Sequence, residues 1–183
     1  MSEAADPPGA GRAGIDLNVD AGESFGRWRV ADESLVFPHA TSVNLACGFH
    51  AGDPSNLLAS IGLALRHGLA IGAHPGYPDK VGFGRRAMQV SQGELVADTI
   101  YQLGAVAALV AVALAAAAAG RAAASAATAT AAEAGARPSG LHHVKAHGAL
   151  YNQMMMEPAV ASAFAQAVAA YDPALPVLVL AGR

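Results

Sequence analysis

The chain has 183 residues, of which 54% are hydrophobic and 14% are charged, and its formal net charge is -3. That length and composition predict one globular domain with a real core, and a slightly acidic chain without a basic patch is not typical of a nucleic-acid-binding protein. The single cysteine, Cys47, excludes an internal disulfide and fits a reducing compartment. Residues 1–13 lack the basic start and apolar centre of a signal peptide. We therefore predict that they form a disordered extension on a cytoplasmic protein.

The first predicted strand, residues 15–20, alternates apolar and polar side chains. Asp16, Asn18 and Asp20 then share one face, and Glu23 comes just beyond the strand end. Three polar side chains on one face favour a wet or metal-bearing site, although a solvent-facing edge strand would explain them too. A short helix is expected over residues 31–37.

The next strand and helix flank a histidine. An apolar run ends at residue 46, and Asp53 followed by Pro54 is a strong helix start, so His50 is predicted to lie on a strand-to-helix loop. The helix is expected to end at Gly68. A lone histidine in such a loop more often satisfies backbone groups, and Cys47 is more often a small buried residue than a nucleophile.

A third strand, residues 69–73, is followed by His74 in a rigid Pro/Gly loop. Arg85 and Arg86 come shortly after it. Adjacent arginines can bind a carboxylate or phosphate in bidentate fashion, and a solvated loop is an equally good explanation.

A capping box, Ser91 to Glu94, predicts the start of a long helix that runs to about residue 119. Residues 105–136 are dominated by alanine and are interpreted as a low-complexity extension of this helix and its following loop. The apolar part before Gly120 is about 17 residues, short of the roughly 20 that a transmembrane helix needs. We therefore predict no membrane span.

Residues 141–147 are predicted to form a fourth strand that Gly148 ends, with His143, Lys145 and His147 on one face. A helix over about residues 157–170 and a last strand over residues 176–181 complete the pattern. This succession of strands and helices predicts a parallel sheet or barrel.

Polar groups recur at four predicted strand ends, which meet at one face of a βα fold. The groups are Asp20 with Glu23, His50, His74, and Lys145 with His147. An aspartate with two histidines can hold a divalent metal, a second carboxylate can act as general base, and a lysine can stabilise an oxyanion. Metal-free acid/base hydrolysis is the alternative. The sequence has no GxxxxGK[ST] loop, so binding of ATP by that route is not expected.

Four segments of the chain, residues 16–23, 44–53, 72–75 and 143–152, resemble the signature motifs of the LamB/YcsF family. The similarity extends over nearly all of residues 15–182, interrupted by the alanine-rich segment. The resemblance implies an irregular (β/α) barrel related to the glycoside hydrolase and polysaccharide deacetylase barrels. It also implies a reaction, the ATP-dependent opening of the lactam ring of 5-oxo-L-proline to L-glutamate. Partner subunits B and C of the 5-oxoprolinase would bind ATP and activate the lactam.

Carried onto this chain, the resemblance and the strand-end pattern give three sets of candidate residues. The predicted catalytic residues are Asp20, Glu23, Lys145 and His147; the predicted substrate-binding residues are Asn18, Asn44, Arg85 and Arg86; and the predicted ligands of a divalent metal are Asp20, His50 and His74. Ala146 stands where the family usually has a proline.

Family members continue beyond the last predicted strand, so the single domain, residues 14–183, is expected to be a barrel that lacks its C-terminal part. Either the chain is then a truncated product, or a partner or a second copy of the chain covers the open edge. Two alternatives to a 5-oxoprolinase component stay open: a metal-dependent carbohydrate deacetylase, and an inactive truncated fragment.

Overall fold

The computed structural model describes residues 15–124 and 140–181. The predicted N-terminal extension and the alanine-rich residues 125–136 lie outside this description. The elements in chain order are β1 (Asn18–Ala21), α1 (Glu33–Val36), a 3-10 turn (Phe37–His39), β2 (Ser42–Ala46), α2 (Pro54–Arg66), β3 (Ala70–His74), α3 (Gln92–Ala124), β4 (His143–Val144), α4 (Gly148–Met156) and α5 (Pro158–Tyr171).

The four strands form one parallel sheet in the order β1-β2-β3-β4. The predicted α/β class and parallel sheet are therefore confirmed. Asp20, Asn44, Gly72 and His143 are register partners, so they form one row across a single face of the sheet. The opposite face is apolar and packs against the helices.

Local sequence signals place the helices that frame the sheet. Asp53 caps α2 by accepting hydrogen bonds from the backbone N–H groups of Ser55 and Asn56, each at 3.0 Å. In α3, the N–H of Ser91 donates to the Glu94 carboxylate at 2.9 Å, and the N–H of Glu94 donates to the Ser91 hydroxyl at 3.2 Å. Both predicted helix starts are confirmed.

The core lies between the apolar sheet face and the long helices. Val43, Leu45 and Ile71 from the sheet are buried, as are Leu103 of α3 and Phe164 of α5. Burial of side chains of this size is the main force that holds a domain together. It fixes the helices on one side of the sheet and leaves the polar row on the other.

The chain after residue 140 differs from the prediction. Regular β4 has only two residues, although Lys145 N–H still donates to Ala73 O at 3.0 Å. Gly148 begins the unpredicted helix α4, because its positive φ of 56° turns the chain out of the strand. The predicted strand over residues 176–181 is wrong as a regular element, since among the described residues it pairs only through a bridge between Val144 and Val177.

The predicted short helix over residues 31–37 is divided into α1 and the 3-10 turn, and Pro38 lies inside that turn. Gly120 does not interrupt α3. The 29 residues Gln92–Gly120 are long and apolar enough to cross a membrane by length and composition alone, a test that the core helix of a soluble protein also passes. The length argument made from the sequence was therefore wrong. One side of the helix is buried in the core through Leu103, Val106 and Val110.

Candidate functional site

The functional candidates lie at the carboxyl edge of the sheet. Asp20 is in β1, His74 is the last residue of β3, and His50 lies on the loop between β2 and α2. Lys145 and His147 follow β4, and Glu23 lies two residues beyond β1. Parallel strands point their carboxyl ends to one side, and the structure brings all six side chains together there.

Three buried imidazoles form the centre of the site. His50 and His147 are stacked, with ring centroids 3.7 Å apart and planes 2° from parallel. His74 stands edge-on to both, with centroid distances of 5.5 Å to His50 and 4.9 Å to His147. Each residue is at most 2% exposed. Burial lowers the pKa of His50 to about 3 and the pKa of His147 to about 4, which favours neutral rings.

Backbone carbonyls orient two of these rings. The Nδ1 of His74 lies 2.7 Å from Lys145 O, and the Nε2 of His147 lies 2.8 Å from Phe83 O. A carbonyl oxygen only accepts hydrogen bonds, so each of these two ring nitrogens must carry the hydrogen. Both nitrogens of His50 are buried and have no hydrogen-bond partner among the described residues.

Two carboxylates flank the imidazoles. The Oδ1 of Asp20 accepts hydrogen bonds from Lys145 Nζ at 2.8 Å and from Asn44 Nδ2 at 2.7 Å, and its Oδ2 lies 3.4 Å from His74 Nε2. Burial opposes ionisation of Asp20, but the hydrogen bond and charge of His74 and the hydrogen bonds from Lys145 and Asn44 outweigh it, so the pKa of Asp20 is well below its usual range. This carboxyl group is therefore ionised near neutral pH.

The pKa of Glu23 is shifted in the opposite direction from that of Asp20. Its Oε1 lies 3.5 Å from His50 Nε2 and 3.7 Å from His147 Nδ1. Burial raises the pKa of Glu23, and the favourable electrostatic interactions with the imidazoles of His74 and His147 only partly offset that effect. A carboxyl group with a raised pKa is the better general base or acid of the two.

A possible metal-ligand group is present, and it differs from the predicted one. One donor atom each from Glu23, His50, His74 and His147 lies within 4.8 Å of all the others. The predicted set paired Asp20 with His50 and His74. In the structure Asp20 stands next to His74, while Glu23 and His147 complete the close group.

The predicted substrate-binding asparagines take part in a ladder across the sheet. Asn18 Nδ2 donates to Asn44 Oδ1 at 3.1 Å, and His143 Nε2 lies 2.7 Å from the same oxygen. The Asn44 amide donates in turn to Asp20 and to Asn18. An amide side chain has two donors and one acceptor oxygen with two lone pairs. The Asn44 amide is thus fully used within the protein, where it positions Asp20 and His143.

The two predicted arginines have different surroundings. Arg86 pairs with the carboxylate of Asp79, with Nε 2.9 Å from Oδ2. Arg85 is exposed, and its guanidinium carbon lies 5.8 Å from the ring centroid of Phe83. Its positive charge also opposes, to a small extent, the rise in the pKa of Glu23 that burial causes. Arg85 is therefore the arginine whose charge acts on the site.

Two features of the site escaped the sequence analysis. Phe83 has a φ of 54°, and its carbonyl fixes His147. A Cβ on Gly84 would lie 2.6 Å from the Cβ of His50, so this position needs a glycine. The Gly82-Phe83-Gly84 sequence was the available signal, since paired glycines mark unusual backbone conformations. No local sequence pattern indicates that Phe83 and Gly84 contact His147 and His50, because these histidines are distant in the sequence.

Cys47 is not a nucleophile of this site. Its Sγ donates to Leu45 O at 3.4 Å, and burial raises the pKa of its thiol to about 12. A thiol with that pKa stays protonated, and the thiolate is the reactive form. The interpretation of Cys47 as a small buried residue is confirmed.

The LamB/YcsF family model matches residues 15–121 and 121–183. The chain belongs to the LamB/YcsF family. It is 45% identical over 168 residues to a protein from Thermus thermophilus that is named as the A subunit of 5-oxoprolinase, an alignment that covers 92% of this chain and 58% of that protein. A Deinococcus radiodurans protein of the same name is 47% identical over 167 residues, with 91% and 55% covered.

Among solved structures, the crystal structure of the lactam utilization protein from Thermus thermophilus matches with a TM-score of 0.74 and 45% identity. That match covers 92% of this chain and 58% of the other. The chain thus spans less than two thirds of the length of these relatives. The likeness confirms the family and the α/β architecture of the part that is present.

Proposed function

We propose that this LamB/YcsF chain is the hydrolytic component of an ATP-dependent 5-oxoprolinase, which opens the lactam ring of 5-oxo-L-proline to give L-glutamate. The observation that supports it most is the cluster of Glu23, Asp20 and Lys145 beside three histidines at the carboxyl edge. Relatives that are 45–47% identical are named as the A subunit of 5-oxoprolinase.

The reaction breaks one amide bond. The partner subunits would transfer the terminal phosphoryl group of ATP to the lactam oxygen and release ADP. The oxygen of water then adds to this activated ring carbon, the C–N bond breaks, and the ring nitrogen takes up protons to become the amino group. A second water releases the phosphoryl group as phosphate, which leaves L-glutamate. Glu23 would remove the proton from the attacking water and return it to the nitrogen, because its raised pKa suits both steps. His147, which lies 3.7 Å from that carboxylate, would assist the proton transfer.

Lys145 would stabilise the negative charge that develops on the carbonyl oxygen. Its side chain is 28% exposed and is held by Asp20, so the ammonium group reaches the mouth of the site in a fixed position. Asp20 would remain ionised during the reaction, since its pKa is strongly lowered. We assign it the role of orienting Lys145 and His74.

Among the four predicted substrate-binding residues, we assign recognition of the substrate carboxylate to Arg85. The guanidinium is exposed beside Phe83, while that of Arg86 is held by Asp79. Asn18 and Asn44 would shape the floor of the site through their mutual hydrogen bonds rather than by direct contact.

Partner subunits B and C would bind ATP and activate the lactam. The relatives are named as one lettered component of an enzyme, which implies further components, and the present sequence has no Walker-type loop.

We also propose a cytoplasmic location. The complete domain would be an irregular (β/α) barrel. A barrel needs a curved sheet, and the hydrogen bond between Lys145, after β4, and Asp20, in β1, supports a sheet that curves in this way.

A divalent metal would be held by His50, whose two nitrogens have no hydrogen-bond partner among the described residues, together with His74 and Glu23. The ring of His147 is stacked on that of His50, so these two rings do not point at one ion. When bound, such an ion would polarise a carbonyl oxygen and lower the pKa of bound water. The same donor group favours one second candidate function, a metal-dependent deacetylase acting on a carbohydrate.

The deciding experiment measures glutamate release from 5-oxo-L-proline and ATP by this chain mixed with purified subunits B and C. Turnover that is lost in Glu23→Gln supports the proposal, and a full-length relative in the same mixture is the positive control. If only the relative turns over, the chain is an inactive fragment. Release of acetate from an acetylated sugar without ATP would instead support the deacetylase.

A further inference from the structure

The loop between β1 and α1 carries a short hairpin, residues 25–28, at the rim of the candidate site. Phe25 and Trp28 exchange two backbone hydrogen bonds of 3.0 and 2.8 Å, and Gly26 turns the chain between them with a φ of 54°. The hairpin begins two residues after Glu23. None of the catalytic and binding roles proposed for the site involves it.

Two other loops of the site fix the hairpin in place. The N–H of Gly26 donates to Asp53 Oδ2 at 2.8 Å. Lys80 Nζ lies 4.2 Å from the ring centroid of Phe25 and donates to Gly52 O at 2.7 Å. A hairpin that is already held in one position loses little conformational entropy when a partner binds to it.

The hairpin nevertheless presents large apolar side chains to solvent. Trp28 is 73% exposed and Phe25 is 43% exposed, and Val81 on the loop after β3 is 89% exposed. Because Lys80 joins Phe25 to the loop of Val81, these side chains belong to one stretch of surface. Tryptophan is enriched among the residues that contribute most to protein–protein binding. An apolar patch with a polar rim is typical of an interaction surface.

The same surface is basic. Residues 25–30 and 80–86 hold five of the chain's 11 lysine and arginine residues and no carboxylate. These five are Arg27, Arg29, Lys80, Arg85 and Arg86. Asp79 pairs with Arg86, and Asp53 offsets part of the remaining charge. The whole chain has a formal charge of -3, so the positive charge is local to this surface, and it favours an acidic partner.

What must reach this surface follows from the proposed function, on which this inference rests. The lactam is phosphorylated by the partner that binds ATP, and the product of that step is activated toward water. An activated intermediate is protected from side reactions only while bulk water is excluded from it. Direct transfer therefore requires that the phosphorylating subunit contacts this chain around the mouth of its site, where the hairpin lies.

We propose that the hairpin and the basic loop, residues 80–86, form the docking surface for the subunit that phosphorylates the lactam. Trp28 enters an apolar pocket of that subunit, and the surrounding cations face acidic side chains. A buried aromatic anchor mainly slows dissociation, whereas complementary charge around it mainly speeds association.

Calorimetry tests the docking surface without turnover. The 183-residue chain is titrated into purified subunits B and C at several salt concentrations. We expect binding that weakens as the salt concentration rises, because the rim is charged. Trp28→Ala should bind at least about 30-fold more weakly, the effect of losing a typical hot-spot residue. Its urea midpoint should be unchanged, since the side chain is exposed.

Two controls separate this surface from general effects of exposed apolar or charged residues. Val112 is 63% exposed on α3, outside the surface, so Val112→Ala should bind like the wild type. Arg27→Glu should slow association with subunits B and C by about tenfold and reduce its salt dependence. Arg66→Glu makes the same change in net charge at the far end of α2 and should associate at the wild-type rate.

Rates of glutamate release separate docking from catalysis. In Trp28→Ala the concentration of subunits B and C that gives the half-maximal rate should rise by the same factor as the Kd. The rate at saturating B and C should equal that of the wild type. Binding that Trp28→Ala weakens, without turnover by the wild type, would support the docking surface and count against the proposed hydrolysis alone.

Three results would overturn the docking surface. The wild type fails to bind subunits B and C, or Trp28→Ala binds them as tightly as the wild type does. In the second case a raised KM for 5-oxo-L-proline would make Trp28 a substrate contact. The third result is a dimer of the chain alone, seen by gel filtration, that Trp28→Ala dissociates, because a second copy would then cover this surface.

Discussion

Lys145 Nζ lies 2.8 Å from Asp20 Oδ1, so a salt bridge joins the first strand of the sheet to the segment that follows the fourth, 125 residues later. In a flat sheet, three interstrand steps would separate these strands by about 14 Å. The contact therefore requires a curved sheet, whose carboxyl edge closes around the three histidines. Exposed salt bridges contribute only about 0–1 kcal/mol to stability. A functional role of the Lys145 ammonium group therefore explains this salt bridge better than a stabilising role does.

The first prediction concerns Lys145→Met. We expect turnover with subunits B and C to fall by about 10²–10³-fold, the usual loss for one group that stabilises an oxyanion. The urea midpoint should change little, because the salt bridge is partly exposed. Initial rates of glutamate release and equilibrium unfolding, measured on one preparation, check both statements. Wild-type rates in this variant would remove Lys145 from the mechanism.

The second prediction concerns the reactivity of Cys47. Burial raises the pKa of this thiol to about 12, and the side chain is 5% exposed, so the native chain should react with a thiol reagent only as fast as it unfolds. The chain in concentrated urea is the control and should react at once. Cys47→Ala should keep its turnover. Rapid labelling of the native chain would contradict the buried position.

Much of the frame around the site could be predicted from sequence because the signals are local. Asp53 with Pro54 fixes the start of α2, and the recurrence of polar residues after apolar runs identified His50 and His74 as neighbours. The interpretation of a parallel sheet followed from the alternation of strands and helices. None of these steps requires knowledge of a distant contact.

Other features depend on contacts that no local pattern encodes. Gly148 was interpreted as the end of a strand, yet it begins α4, where a Cβ would lie 2.5 Å from the carbonyl oxygen of Gly84. The apolar residues after Pro176 have strand propensity, but among the described residues only Val177 forms a bridge. Strand formation needs a neighbouring strand as well as propensity. The hydrogen-bond directions of His74 and His147 likewise depend on carbonyls from separate loops.

The third prediction uses the Arg86–Asp79 pair. The hydrogen bond from Arg86 lowers the pKa of Asp79 to about 2, against burial, and the carboxylate is 5% exposed. A carboxyl group with a depressed folded-state pKa adds stability that is fully present above its unfolded value of about 3.8 and is lost as the pH falls toward 2. The wild type should therefore lose stability between about pH 4 and pH 2.

In Arg86→Met the loss of stability over that pH range should be smaller, because the pKa of Asp79 returns toward its unfolded value. Arg85→Met is the matched control, since Arg85 is the adjacent arginine and has no ion pair among the described residues. Its acid unfolding should follow the wild type, while its KM for 5-oxo-L-proline should rise. Equal acid sensitivity in both variants would mean that the Arg86 pair does not control the ionisation of Asp79.

The fourth prediction concerns Gly72, which lies in β3 between Asn44 and His143 in the row across the sheet. The imidazole of His143 passes over Gly72 to reach Asn44 Oδ1 at 2.7 Å, and a Cβ on residue 72 would lie 2.1 Å from its Nε2. Gly72→Ala must therefore displace His143, which leaves buried polar atoms without partners at a cost of about 1–3 kcal/mol. The urea midpoint should fall accordingly.

Gly104→Ala is the control for the loss of a glycine. Nothing lies within 4 Å of a Cβ at this position in the middle of α3, so the variant should be more stable than the wild type by about 0.5–1 kcal/mol. Adding His143→Ala to Gly72→Ala should recover part of the lost stability, because the smaller side chain makes room for the new methyl group. If Gly72→Ala alone is as stable as the wild type, His143 does not cross β3, and the ladder that positions Asp20 through Asn44 ends at β2.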